Sequence, residues 1–219
     1  MLKIKVKASQ ITNLTDARYF AAKEVEWLSF NFTEGSENYI DPMRARVMFE
    51  WVEGPHIVGE FDGLSAADIN FYTEGYQLNH IQVGAHTPAE VIFDLQATSI
   101  IKEIVVETTT NADLLRGQMR PLVATVEAFQ LNFEKKGLDF LSLKNANSSL
   151  PLSDLKALCL EFKIILAIDF QTIMLDELLS LNPYGLSLQG GEEEKVGVKS
   201  FDELDDILEK LELEEVKPC

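Results

Sequence analysis

The sequence predicts an α/β fold, a single (β/α)8 TIM barrel of parallel strands spanning residues 1–219, and three observations carry that expectation. Short β-branched runs alternate with longer segments of helical period, the pattern of parallel strands joined by crossover helices, and eight such pairs can be counted. A length of 219 residues with 46% hydrophobic content suits one barrel core. Side-chain oxygens that can accept first-turn amides stand where several of the helices should begin.

In chain order, strands are expected at Lys3 to Lys7, Trp27 to Phe32, His56 to Phe61, His80 to Val83, Ile101 to Glu107, Asp139 to Lys144, Lys163 to Ile168 and Gly185 to Leu188, each followed by an amphipathic segment. Asp41-Pro42 sets a cap before a first-turn proline. Thr87-Pro88-Ala89-Glu90 and Ser200-Phe201-Asp202-Glu203 have the spacing of capping boxes, and Ser65-Ala66-Ala67-Asp68 is a weaker form of the same signal. The stretch from Thr108 to Gln118 is the longest polar loop. Met43 and Met48 have core spacing, and Trp27 and Trp51 should pack helices on the barrel or cap its end. An open doubly wound sheet has the same local pattern and is the structural alternative.

Charge and composition exclude several function classes. With 36 acids against 19 bases the net charge is −17, and a dense acidic run extends from Asp202 to Glu215. Such a surface repels nucleic acid and slows the approach of anionic ligands. No run of about 18 apolar residues occurs, and the N-terminus opens as a strand, so a cytoplasmic protein with no membrane partner is expected. Cys159 and Cys219 form no motif with the three histidines, which argues against a zinc site or a disulfide framework. His80 and His86 read as packed or loop residues, and Glu192-Glu193-Glu194 as a solvated turn; no metal and no cofactor is expected.

Several segments resemble a known family. Lys5-Val6-Lys7-Ala8-Ser9-Gln10-Ile11-Thr12-Asn13-Leu14-Thr15-Asp16-Ala17 is similar to the opening of phosphoribosylanthranilate isomerases, K-I-C-G-I-T followed by N-x-x-D-A. Trp27 to Phe32 with Ser36-Glu37-Asn38-Tyr39-Ile40 resembles the family's second strand and its S-x-R-Y-[VI] loop. Leu186-Ser187-Leu188-Gln189-Gly190-Gly191-Glu192 and Val196-Gly197-Val198-Lys199 resemble D-[VI]-S-S-G-V-E and P-G-x-K. The likeness is strongest at the two ends and weak from about 63 to 136. It implies the closed barrel and an Amadori rearrangement that needs four things: an acid ending strand six, a thiol base ending strand one, an arginine for the anthranilate carboxylate, and glycine-rich turns for the phosphate.

At these family positions the sequence departs. Ser9 stands at the thiol position, sharing a strand face with Lys5 and Lys7. The expected sixth strand, ending Leu143-Lys144, puts Lys144 where the acid belongs, and Asn38 replaces the arginine. Ile168-Asp169 replaces the glycine pair after strand seven, and an aspartate there repels phosphate. Only the Gly190-Gly191 turn keeps the glycine chemistry, with Lys195 or Lys199 near it, which leaves open a residual site for a small phosphorylated or anionic metabolite. Three readings follow: a degenerate barrel kept as a binding or scaffold protein, monomeric or homodimeric; a barrel enzyme of changed chemistry using Lys144 with Lys7 and Ser9; or an ordinary isomerase whose site residues lie elsewhere.

Overall fold

A computed structural model of the chain describes residues 1–145, 148–190, 193–195 and 198–213, with backbone alone at 193–195 and 198–199. Eight parallel strands close into a barrel in sequence order: β1 (Lys5–Ser9), β2 (Trp27–Asn31), β3 (His56–Phe61), β4 (His80–Val83), β5 (Ser99–Val105), β6 (Ala128–Asn132), β7 (Ile164–Ala167) and β8 (Gly185–Gln189). Pairing of β1 with β8, Lys7 opposite Ser187 and Ser9 opposite Gln189, completes the circle and excludes the open sheet. The crossover helices are α1 (Leu14–Ala22), α2 (Pro42–Phe49), α3 (Ala66–Gly75), α4 (Ala89–Phe93), α5 (Ala112–Met119), α6 (Phe140–Leu143), α7 (Leu152–Glu161), α8 (Leu175–Leu179) and α9 (Asp202–Leu211). Outside the barrel, β9 (Glu193–Lys195) pairs antiparallel with β10 (Val198–Lys199). Among the described residues no helix is long and apolar enough to cross a membrane.

Local chemistry accounts for most boundaries. Asn13, Ser65 and Asn111 accept the amides of Asp16, Asp68 and Leu114, and Asp41 accepts those of Met43 and Arg44, so α1, α2, α3 and α5 each begin on a side-chain cap. Thr87 does not cap. Pro88 occupies the N-cap of α4 without a side-chain bond, and the Thr87 hydroxyl has no partner among the described residues. At α9 the N-cap is Phe201; Ser200 Oγ still accepts the Asp202 amide at 3.3 Å.

Two elements differ from expectation. Asp139 to Lys144 is no strand: Asp139 is the N-cap of α6, accepting the Ser142 amide at 2.8 Å, and Lys144 is its C-cap. The sixth strand lies earlier, at Ala128–Asn132, and ends Leu131-Asn132. The alternation in Phe140-Leu141-Ser142-Leu143 imitates a strand, whereas the real strand carries polar residues on its inner face and so lacks an apolar run. The polar stretch from Thr108 to Gln118 is largely α5, which buries Ala112, Leu115 and Met119 at helical spacing.

The barrel separates two interiors. Outward strand faces and helices share the main core, with Phe20, Phe30, Leu131, Leu155 and Leu208 fully buried. Inside the barrel a smaller apolar cluster comprises Trp27, Val58, Ile101, Ala128 and Ile165. One step of two residues along each strand keeps the same face and moves toward the C-terminal end. That step reaches Ser29 from Trp27, Glu60 from Val58, Glu103 from Ile101 and Gln130 from Ala128, so the barrel changes abruptly from apolar to polar. Trp27 therefore packs within the barrel, while Trp51 is exposed; Met48 is buried and Met43 is exposed.

Candidate functional site at the barrel mouth

Inward side chains at the C-terminal ends of the strands form two hydrogen-bonded groups. In the first, Lys7 of β1 is fully buried and donates from Nζ to Glu60 Oε1 on β3 at 2.6 Å and to Ser9 Oγ at 2.8 Å. Ser9 Oγ in turn lies 2.7 Å from Ser187 Oγ of β8. A buried ammonium needs such a counter-charge, because an unpaired charge in this interior would cost several kcal/mol. In the second, Asn132 at the end of β6 donates from Nδ2 to Glu103 Oε1 at 2.8 Å, and Lys135 Nζ lies 2.6 Å from Glu103 Oε2. Ser29 Oγ, Gln82 Oε1 and Gln130 Oε1 sit buried below them without a partner among the described residues.

A cleft of about 780 Å³ opens beside these groups, between the ends of β6 to β8 and α9. Carboxylates dominate its polar wall: Glu134, Asp139, Asp169 and Glu203 line it with Ser187 and Gln189, against apolar Leu138, Ile168, Phe170 and Ile207. Burial pushes the Glu134 carboxyl above its usual range; the Gln189 amide bonded to it and the Lys7 charge oppose that push, and nearby Asp169 and Glu103 add to it. A proton is therefore retained on Glu134 at higher pH than on a free carboxylate.

The expected site residues divide between this mouth and other places. Lys7 and Ser9 are together in it. Asn38 stands at its rim, donating from Nδ2 to Gln10 Oε1 at 2.7 Å, and Gln10 holds a left-handed backbone with φ of 60°. Asp169 lines the cleft, and its carbonyl accepts the Phe140 amide at 2.8 Å. Gly190 follows β8 at the cleft, but a close neighbour explains it: a Cβ there would lie 2.8 Å from Asp16 Oδ2. The buried Asp16 carboxylate thus occupies the space beside the turn where the resemblance implied a phosphate. Gly191 lies outside the described residues, as do the side chains of Lys195 and Lys199.

Lys144 is a correction. It caps α6 instead of ending a strand, is exposed, and pairs with Glu177 of α8 at 2.7 Å. The residue that ends strand six is Asn132. Sequence reasoning also passed over Glu60, Glu103 and Glu134. A signal for the first two existed, since each is an acid inside an apolar strand, His56-Ile57-Val58-Gly59-Glu60-Phe61 and Ile100-Ile101-Lys102-Glu103-Ile104. Lys102, the chain neighbour of Glu103, faces outward and serves the fold, donating to the carbonyls of Gly84 and Thr87 at 2.5 and 2.9 Å.

His80 stacks on His56 with ring centroids 4.2 Å apart, and His86 Nδ1 lies 2.7 Å from Asp62 Oδ2. Among the described residues no group of three or more His, Cys, Asp or Glu side chains is arranged to hold a metal ion.

No family model and no curated protein matches the sequence. Solved structures do. Phosphoribosyl anthranilate isomerase from Thermus thermophilus is similar with a TM-score of 0.74 and 25% identity, over 95% of this chain and 98% of that one. The Thermotoga maritima enzyme is similar with a TM-score of 0.73 and 19% identity, over 95% and 98%. A phosphoribosyl anthranilate isomerase in complex with reduced 1-(o-carboxyphenylamino)-1-deoxyribulose 5-phosphate is similar with a TM-score of 0.72 and 20% identity, over 94% and 97%. In fold the chain is similar to phosphoribosyl anthranilate isomerases along nearly its whole length.

Proposed function

We propose that this chain is a divergent phosphoribosylanthranilate isomerase-type barrel that has lost the isomerisation and persists as a binding or scaffold protein. One observation carries the reading: the two strand ends where the rearrangement needs a base and an acid hold Ser9 and Asn132. A serine hydroxyl moves a proton only with a partnered base, and the groups around Ser9 are a charge-paired ammonium and another hydroxyl. An amide has no proton to give at neutral pH. Each missing proton-transfer group is worth about 10² to 10⁴ in rate.

The anion sites support the same conclusion. Asn38 keeps hydrogen bonding without the cationic fork of arginine. Asp169, Asp139 and Glu134 line the cleft and Asp16 stands against the Gly190 turn, and a carboxylate near a phosphate repels it. The ligand chemistry that suits this cleft is uncharged or cationic.

A second reading, a barrel enzyme of changed chemistry, is favoured by Glu134, a proton-holding carboxyl on the cleft wall. Direct assay with phosphoribosylanthranilate, together with complementation of an isomerase-deficient strain, tests both. The expected outcome is no growth without tryptophan and no turnover. Growth at the rate of a strain carrying a competent isomerase overturns the proposal, and slow turnover abolished by Glu134→Gln establishes the second reading.

A further inference from the structure

Helix α2 has an outer face that the barrel does not use. Its inner face is ordinary: Pro42, Ala45 and Met48 are buried against the barrel. On the other side Met43 is 70% exposed, Val47 58% and Trp51 64%. These residues are four apart, and the Trp51 amide bonds to the Met48 carbonyl at 3.0 Å, which carries the turn geometry past the end of the helix. They therefore form one apolar ridge. At 3.6 residues per turn, Arg44 and Arg46 fall on its two sides. Both are exposed, and among the described residues neither is in an ion pair.

This combination is unusual for this chain. The helix Pro42–Phe49 contains two arginines and no acid, in a protein with 36 acids and 19 bases. The flanking acid Asp41 spends its carboxylate on the amides of Met43 and Arg44, and Glu50 stands at the C-cap. Tryptophan, methionine and arginine are the residue types enriched at protein interfaces, and an exposed tryptophan has a large apolar area to gain by being covered. At physiological salt the rest of the acidic surface is screened beyond about 8 Å, so a docking segment senses mainly the local arginines.

We propose that the outer face of α2 docks an acidic amphipathic helix of a partner protein, its apolar side over Met43, Val47 and Trp51 and its carboxylates paired with Arg44 and Arg46. The inference stands on α2 alone and is independent of whether the barrel mouth is catalytic. Helix-on-helix pairing needs an apolar seam to bury and flanking charges to choose the partner, and both are present here. A second copy of the chain is a poorer occupant, since a two-fold contact across this helix sets arginine against arginine.

The two tryptophans supply the test. Trp27 is 1% exposed inside the barrel, so a change in emission on binding reports Trp51. The full chain is titrated with a synthetic amphipathic helix carrying leucines on one face and glutamates along both flanks, and separately with the same peptide carrying lysines in place of glutamates. The glutamate peptide should shift the emission to the blue, the lysine peptide should not, and Arg44→Glu with Arg46→Glu should weaken the first by about tenfold or more while creating binding of the second. Circular dichroism confirms that the exposed substitutions leave the fold intact, and Trp51→Phe removes the signal. Four results overturn the proposal: no shift with either peptide, equal shifts with both, a shift produced by raising protein concentration alone, or a shift seen only with anionic phospholipid vesicles.

Discussion

Glu60→Gln removes the counter-charge of Lys7 while keeping the size of the side chain and one hydrogen-bond acceptor. The pair is short, 2.6 Å, with Lys7 fully enclosed and Glu60 15% exposed. At an effective dielectric of about 20 the attraction over that distance is about 6 kcal/mol. Desolvation of both ions offsets most of it, so the intact pair contributes little relative to an apolar pair of the same shape. Breaking it is different, because the ammonium stays buried with only neutral acceptors, Ser9 Oγ and the new amide oxygen. Removal of one member of such a pair costs about 3 to 5 kcal/mol. For a domain of this size that corresponds to a fall in melting temperature of roughly 6 to 20 °C. Denaturant titration and thermal melting of the parent, Glu60→Gln, and the double variant Lys7→Met with Glu60→Leu measure it. The double variant should lie within about 1 kcal/mol of the parent or above it, since it removes both charges. If Glu60→Gln costs under about 1 kcal/mol, Lys7 is solvated, and the barrel mouth is not a closed, charge-paired interior.

Two further outcomes follow from the cleft. Inorganic phosphate should leave the melting temperature unchanged; a filled site at a hundredfold excess over Kd would stabilise by about 2.7 kcal/mol, or roughly 5 to 11 °C, and a rise of that size would restore the anion site that Asp16, Asp169 and Glu134 argue against. Glu134→Gln should gain stability over the parent as pH rises. The folded carboxyl titrates above its unfolded value, so its contribution is fully present below the ordinary carboxylate range and is lost as pH climbs through the raised value. Urea titrations on both sides of that window should find the two proteins alike in acid and the variant ahead near neutrality; an advantage that is the same at both pH values would exclude burial of Glu134 as its source.

Much of the barrel was legible in the chain. His56–Phe61 and His80–Val83 fall where the apolar runs place them, and Asp41 and Ser65 cap the helices they precede. The failures have a common cause. Near the mouth, β6 turns Gln130 and Asn132 inward, so its pattern is that of a loop, while α6 has the alternation of a strand. A strand whose inner face is polar lacks the signal on which sequence reading depends. Lys144 was consequently placed at a strand end that belongs to Asn132. Met43 and Trp51 were assigned inward because apolar residues at helical spacing usually are; the spacing holds, but the face is the outer one.

By itself the sequence determined the alternation of strand and helix, the number of units, and which residue types stand at Ser9 and Asn38, because these depend on residue type and on periods of 2 and 3.6 along the chain. Only closure of the barrel decided that Lys7 meets Glu60 fifty-three residues away, that Asp16 stands against Gly190, and that four carboxylates converge on one cleft. Periodicity says which face a residue takes within its own strand. What stands opposite is set by the register with other strands, and no local pattern encodes that.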